Sequence, residues 1–306
     1  MEYIHGTKDF KLDNTIVTIG KFDGVHCGHR LLLENVKKRK KQGQKAVVFT
    51  FDHNPSSILS GKGQSVIYSE EEKCQLMEQL GMDVLISYPF DKETSRMMAE
   101  EFITDVLIEQ LGIKEVIIGK DCRFGYKRQG NAELLYRFSG RYGFEVNVFD
   151  KKELDGEMIS STRIRGLLRQ GAMEAAAKLL GQPYMIFGEV VHGQKLGRKL
   201  GMPTINQIPS KEKLLPPNGV YSSCIEIPGE GNFYGITNLG IRPTVASDKL
   251  LAETNIFQYS NDLYGKKCKV MLCHFQRKEQ KFGSVEKLKQ QLIKDMEQAK
   301  QYFATS

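Results

Sequence analysis

Ile16-Val17-Thr18-Ile19-Gly20-Lys21-Phe22-Asp23-Gly24-Val25-His26-Cys27-Gly28-His29-Arg30-Leu31-Leu32-Leu33 decides how the first half of this chain is read. The β-branched run at its start predicts a buried strand. The leucines at its end predict a helix. The junction between them carries two of the six histidines of the 306-residue chain, His26 and His29. Three residues apart on a helix, they share a face. The helix N-terminus adds free N–H groups and the positive end of the dipole, which together favour an anion. Two imidazoles at such a place suit a phosphate that gains charge during a reaction. The plainer alternative is a surface helix that happens to carry two histidines.

Outward from this stretch, strand and helix signals alternate. Strands are expected at Ile16–Ile19, Ala46–Phe51, Val84–Tyr88, Val116–Ile118 and Glu145–Phe149. Helices are expected near 27–41, 69–80, 97–111, 130–142, 162–170 and 173–180. This alternation predicts an α/β domain with a doubly wound parallel sheet, whose ligands bind beyond the carboxyl ends of the strands. Gly181-Gln182-Pro183 breaks the pattern. Strand signals follow at Phe187–Val191, Val220–Ile227, Phe233–Leu239, Glu253–Phe257 and Lys267–Phe275, separated by turns. They predict a small antiparallel β-barrel. Ser284–Phe303 closes the chain as an amphipathic helix, with Ser284 as N-cap and Val285, Leu288, Leu292 and Met296 on one stripe. Two domains are expected, 1–182 and 183–306.

Composition narrows the function. No apolar run approaches the roughly 20 residues of a membrane span, and the N-terminus shows no signal-peptide pattern. A cytoplasmic protein without a membrane partner is expected. The six cysteines are scattered without a Cys-x-x-Cys pair and read as reduced thiols. The net charge of +7 suits anionic small substrates. The run Lys37-Lys38-Arg39-Lys40-Lys41 lacks interleaved aromatics, so it reads as a solvated helix end and not a nucleic-acid surface. Self-association has no sequence signal.

Several segments carry chemistry. Gly119–Gly130 mixes glycines with Lys120, Arg123, Lys127 and Arg128. Ile159–Arg165 opens a helix: Ser161 or Thr162 suits the N-cap, and Arg163 and Arg165 crowd an already positive end. A polyphosphate would reverse that cost, and Arg offers a forked donor to it. Gly188–Asn206 is rich in glycine and cations but is no Walker A loop. Thr204 and Asn206 at its end are hard oxygen ligands that suit Mg²⁺.

His-x-Gly-His after a first strand resembles the nucleotidylyltransferase superfamily. The longer Gly20–His29 form is similar to the bacterial bifunctional riboflavin kinase/FMN adenylyltransferases, the FAD synthetases. The second half carries the companions: Gly193-x-x-x-Gly197-Arg198-x-x-Gly201-x-Pro203-Thr204-x-Asn206, Pro217–Tyr221, Asn238–Thr244, Glu253–Phe257, Asp262–Gly265 and Gln276–Phe282. The resemblance runs from about residue 14 to 300.

It implies a Rossmann-like nucleotidylyltransferase domain followed by a riboflavin kinase barrel, with ATP and Mg²⁺ required and riboflavin, FMN and FAD as substrates and products. It implies that His26 and His29 meet the ATP phosphates. Gly20, Phe22, Asp23, Gly24, Asp121, Ser161, Thr162, Arg163 and Arg165 would bind the nucleotide. Gly193, Gly197, Arg198 and Gly201 would bind the second site's phosphates. Asn54, Phe124, Asn218, Gly219, Tyr221 and Arg242 would bind flavin, Thr204 and Asn206 the metal, and Glu253 would act as base. Two positions depart from the family pattern. Asn54 replaces a usual histidine after the second strand, and Asn255 stands where histidine is frequent. Asn54 leaves open a kinase whose first domain adenylylates poorly. A flavin-binding protein without turnover is the non-enzymatic alternative.

Overall fold

The structure is a computed structural model that describes residues 1–52, 65–193, 202–243 and 248–305. Its chain packs as two compact units, Met1–Ser161 and Thr162–Ser306.

Unit 1 holds strands β1 (Glu2–His5), β2 (Thr15–Ile19), β3 (Lys45–Phe51), β4 (Val84–Tyr88), β5 (Ile113–Gly119) and β6 (Glu145–Phe149). They form one parallel sheet in the order β1-β4-β3-β2-β5-β6. β2 and β4 are buried along their whole length, as both faces of a parallel sheet require. Helices α1 (Cys27–Arg39), α2 (Glu70–Gln79), α3 (Phe102–Gln110) and α4 (Ala132–Tyr142) connect the strands. Val17, Val47, Phe49, Ile86, Val116 and Phe102 share the main core.

From β2 the chain steps one way to β3 and β4, and β5 and β6 lie on the other side. The loops leaving β2 and β5 therefore part at a topological switch point, where open α/β sheets bind ligands.

Three features depart from the expectation. The edge strand β1 is added, and its exposed side chains hide its period. α3 is a π-helix, in which the Leu111 amide reaches back five residues to the Val106 carbonyl at 3.0 Å. A small hairpin, β7 (Glu153–Leu154) and β8 (Glu157–Met158), turns at Asp155-Gly156, both with positive φ. Three cations of the basic run at the end of α1 are held in ion pairs. Arg39 meets the buried Glu115, Lys40 meets Asp83 at 2.6 Å, and Lys41 meets Glu145 at 3.5 Å.

Unit 2 contains β9 (Tyr184–Glu189), β10 (Ile205–Gln207), β11 (Gly219–Ile227), β12 (Gly231–Pro243), β13 (Asp248–Ile256) and β14 (Lys267–Lys278). The antiparallel order is β10-β13-β12-β11-β14-β9. Its two ends meet. The Val191 amide donates to the Asn206 carbonyl at 2.8 Å, and the Gln207 side chain donates to the Gly188 and Cys268 carbonyls at 2.8 and 3.0 Å. The sheet thus curls into a barrel, as expected, and removes its edges. β10 is new, because three residues are too short to show alternation.

Helix α5 (Ser161–Gln170) leads into α6 (Met173–Leu180), which packs on β9 and β14. That packing is why the compact units divide at Ser161, ahead of the Gly181–Pro183 break.

α7 (Val285–Thr305) lies on β11 and β12. The Lys287 amide donates to Ser284 Oγ at 3.2 Å, the N-cap read from sequence. Of the expected apolar stripe, Leu288, Leu292 and Met296 are half-buried beside the fully buried Asp295 and Ala299, whereas Val285 is 55% exposed.

Candidate active sites

In unit 1, β2 delivers the chain into a tight loop. Phe22 and Val25 both take positive φ, 46° and 39°, and both are fully buried. Such conformations cost about 1–3 kcal/mol each and persist where packing over-determines them, commonly at working sites. The Asp23 carboxylate accepts from the Ile67 amide at 2.8 Å, and its carbonyl accepts from Ser161 Oγ at 2.8 Å.

The loop ends at His26, which caps α1. His26 Nδ1 accepts from the His29 amide at 3.3 Å, so its proton sits on Nε2. The two rings stack at 3.6 Å, inclined by 13°, and Phe22 lies 5.1 Å from His29. A Cβ on Gly28 would come within 3.2 Å of the His26 ring, so glycine leaves the cap room.

Burial holds both imidazoles neutral. His26 is lowered to about 4, and His29 is pushed well below the usual range by burial, by His26 and by the Lys73 cation. His29 Nδ1 is buried and has no hydrogen-bond partner among the described residues. The pair is a neutral donor set with an unanswered polar atom beside a helix N-terminus.

A stability effect follows. Unfolded His26 takes a proton near 6.5 and folded His26 only near 4. Its contribution is present above about pH 6.5 and lost as pH falls toward 4, on the order of 3 kcal/mol in all. His26→Gln offers the cap a side-chain oxygen in place of Nδ1 and does not titrate. Thermal unfolding between about pH 7 and 4.5 should therefore show a shallower acid loss in the variant than in the wild type. Equal slopes would mean that His26 is not buried neutral.

The remaining candidates for the adenylylation step are placed as follows. Asp121 is exposed on the loop after β5 and pairs with Lys151 at 2.9 Å. Phe124 is buried in the core, 5.4 Å from Phe102. Asn54 lies outside the described residues. α5 opens at Ser161, one residue earlier than its capping role requires, and the Ser161 hydroxyl serves Asp23 instead. Thr162 is exposed, Arg163 half-buried and Arg165 buried on α5.

In unit 2, strand register builds the site. Asn206 on β10 faces Glu253 on β13, and Glu253 faces Asn238 on β12. Directly opposed residues share a face with Cβ atoms about 4.5–5.5 Å apart. Asn206 Oδ1 is buried and has no hydrogen-bond donor among the described residues. An added Cβ on Gly193 would come within 2.4 Å of Asn206 Nδ2, so the glycine-rich segment passes directly over that amide. Asn255, two residues beyond Glu253 and on its face, donates to the Pro203 carbonyl at 2.8 Å and pins the limb that carries Thr204. Asn238, absent from the sequence candidates, reaches Glu279 at 3.4 Å. Only pairing reveals its place beside Glu253.

Tyr221 is fully buried, its ring 5.1 Å from Phe275 and its hydroxyl donating to the Pro217 carbonyl. Asn218, half-buried, and Gly219, buried, precede it. Gly197, Arg198 and Gly201 lie outside the described residues, as does the side chain of Arg242.

The chain was compared with known proteins. A FAD synthetase family model matches residues 9–163, and a riboflavin kinase model matches residues 180–303. A bifunctional riboflavin kinase/FMN adenylyltransferase of Haemophilus influenzae is 37% identical over 95% of each chain. One of Buchnera aphidicola is 39% identical over 99% of each chain. A solved structure described as a macrolide-efflux protein of Streptococcus pneumoniae shares the fold with a TM-score of 0.80, at 30% identity over 96% of each chain. Among the described residues here, no helix is long and apolar enough to cross a membrane. With both family models matched in order and full-length relatives well above 30% identity, this chain belongs to the bifunctional riboflavin kinase/FMN adenylyltransferase family.

Proposed function

We propose that the chain makes FAD in two steps, one on each unit. Unit 2 transfers the γ-phosphoryl group of ATP to the 5′-hydroxyl of riboflavin, giving FMN and ADP. Unit 1 joins FMN to the AMP moiety of a second ATP and releases pyrophosphate. One observation carries the reading: each unit matches its own family model, and the relatives span both. The six cysteines, none joined in a disulfide, support a reducing cytoplasmic setting.

In the adenylylation step an FMN phosphate oxygen attacks the α-phosphorus while the bond to the β-phosphate oxygen breaks. The nucleophile is already an anion, so positioning and charge stabilisation suffice. His26 Nε2–H and the His29 ring donate to the phosphates at the α1 N-terminus. Both are neutral when empty, and an arriving polyphosphate favours their protonated forms, so positive charge grows as negative charge does. Gly20, Phe22, Asp23 and Gly24 shape the loop. Asp121, Ser161, Thr162, Arg163 and Arg165 complete the nucleotide contacts, and Asn54 and Phe124 belong to the flavin side.

The kinase step needs a base, because an alcohol is a poor nucleophile. Glu253 takes the hydroxyl proton as the oxygen attacks the γ-phosphorus and ADP leaves. Thr204 and Asn206 would hold Mg²⁺, and the partnerless Asn206 Oδ1 fits that demand for oxygen donors. When bound, Mg²⁺ would neutralise charge on the transferring phosphate. Gly193, Gly197, Arg198 and Gly201 cover the phosphates. Asn218, Gly219, Tyr221 and Arg242 form the flavin side.

Incubation with riboflavin, ATP and Mg²⁺, followed by chromatography, tests both halves. FMN then FAD is expected. FMN without FAD would remove the unit 1 half.

The working boundary is proposed as 1–182 and 183–306. A fragment of residues 162–306, which keeps α6 on β9 and β14, should phosphorylate riboflavin and make no FAD. A fragment of residues 183–306 should do so with a lower unfolding temperature, since Leu179 and Leu180 are buried in the intact chain. A folded 162–306 fragment without kinase activity would break the assignment.

A further inference from the structure

The segment Asn218-Gly219-Val220-Tyr221 lies against an irregularity in β14. Val220 pairs with Arg277 and Tyr221 with Phe275, so Gln276 is an extra, bulged residue. Bulges bend a strand and re-aim what it carries, often beside active sites. This one is tied to the terminal helix. Gln276 Nε2 donates to Ser222 Oγ at 2.9 Å and to the Asp295 carbonyl at 3.1 Å. Arg277 forks onto the Asp295 carboxylate, Nε to Oδ1 at 2.9 Å and Nη2 to Oδ2 at 2.6 Å. Gln291 adds a third donor at 2.9 Å, and Asp295 has no exposed surface.

The main chain of Arg277 is in turn the floor under Gly219. A Cβ on Gly219 would come within 2.2 Å of the Arg277 carbonyl oxygen. At so close an approach, a shift of Arg277 displaces Gly219 and its neighbour Asn218.

Stability gives little reason for such a pair, since apolar replacements of a buried ion pair are often as stable or more so. Geometry gives a better one. A planar fork fixes both the position and the orientation of its partner. We propose that Asp295 is a positioning residue for the flavin site, acting through Arg277 and the Gln276 bulge to set Gly219 and Asn218. The inference rests on the reading of Asn218–Tyr221 as the flavin contact.

The test uses the full-length chain and measures riboflavin binding by quenching of flavin fluorescence, KM and kcat for FMN formation, and unfolding temperature. Asp295→Asn is expected to weaken riboflavin binding and raise its KM about tenfold or more, the scale on which small misplacements act. FAD formation from added FMN should not change. Phe303→Ala loosens the far end of α7, where its ring stacks on Tyr234 at 4.2 Å, and is the structural control. It should lower the unfolding temperature and leave KM alone. If Asp295→Asn behaves like Phe303→Ala, the positioning role is overturned. If it fails to fold, Arg277→Lys keeps the charge but not the fork, and an unchanged KM there overturns the proposal equally. Asn218→Ala separates the underlying reading. An affinity unmoved by it removes the flavin contact itself, whereas loss of affinity there with none in Asp295→Asn removes only the coupling.

Discussion

Conversion of FMN to FAD should slow by about 10²–10³-fold in His29→Ala, the usual loss for one preorganised donor to a transition state. The His29 ring stacks on His26 at 3.6 Å and carries a buried Nδ1 that no described group answers. Alanine keeps the helix, because it is the best helix former and the cap belongs to His26. Riboflavin phosphorylation by the same preparation should be unchanged, since its candidate residues lie on unit 2. That internal control separates lost chemistry from lost folding. A wild-type rate of FAD formation would remove the histidine pair from the mechanism.

Glu253→Gln should produce the opposite pattern. A general base contributes typically about 10²–10⁴-fold, and Gln keeps the shape but cannot accept the proton. FMN formation should fall by that order, while added FMN is still converted to FAD at the wild-type rate. Riboflavin affinity should change little, because the carboxylate acts as the bond forms. β13 holds Glu253 between Asn206 and Asn238 by main-chain pairing, so the substitution leaves the row in register. Full kinase activity in the variant would shift the burden to positioning by Thr204, Asn206 and Mg²⁺.

Much of this was legible along the chain. The parallel sheet followed from alternating signals, and the start of α1 with its two histidines from ten consecutive residues. In both cases the determining contacts are local: side-chain period along a strand or helix, and groups freed at a helix end. The Ser284 cap was legible for the same reason.

Other features had no local signal. Phe124 and Tyr221 stand in recognisable motifs, but the burial of both rings is set by neighbouring elements that close over them. β1 and β10 exist through pairing with distant strands, and Asn238 joins Glu253 and Asn206 only through the register of three strands. The depressed pKa values of His26 and His29 arise from burial, which no spacing encodes. Asp295 reads from its helix as one more polar residue, but a fork from β14 makes it the most buried carboxylate of the chain's last helix. Short-range patterns name the elements and their chemistry. Which side chains meet, and in what dielectric, is settled by contacts between residues far apart in the chain, where tertiary packing sets both distance and access to water.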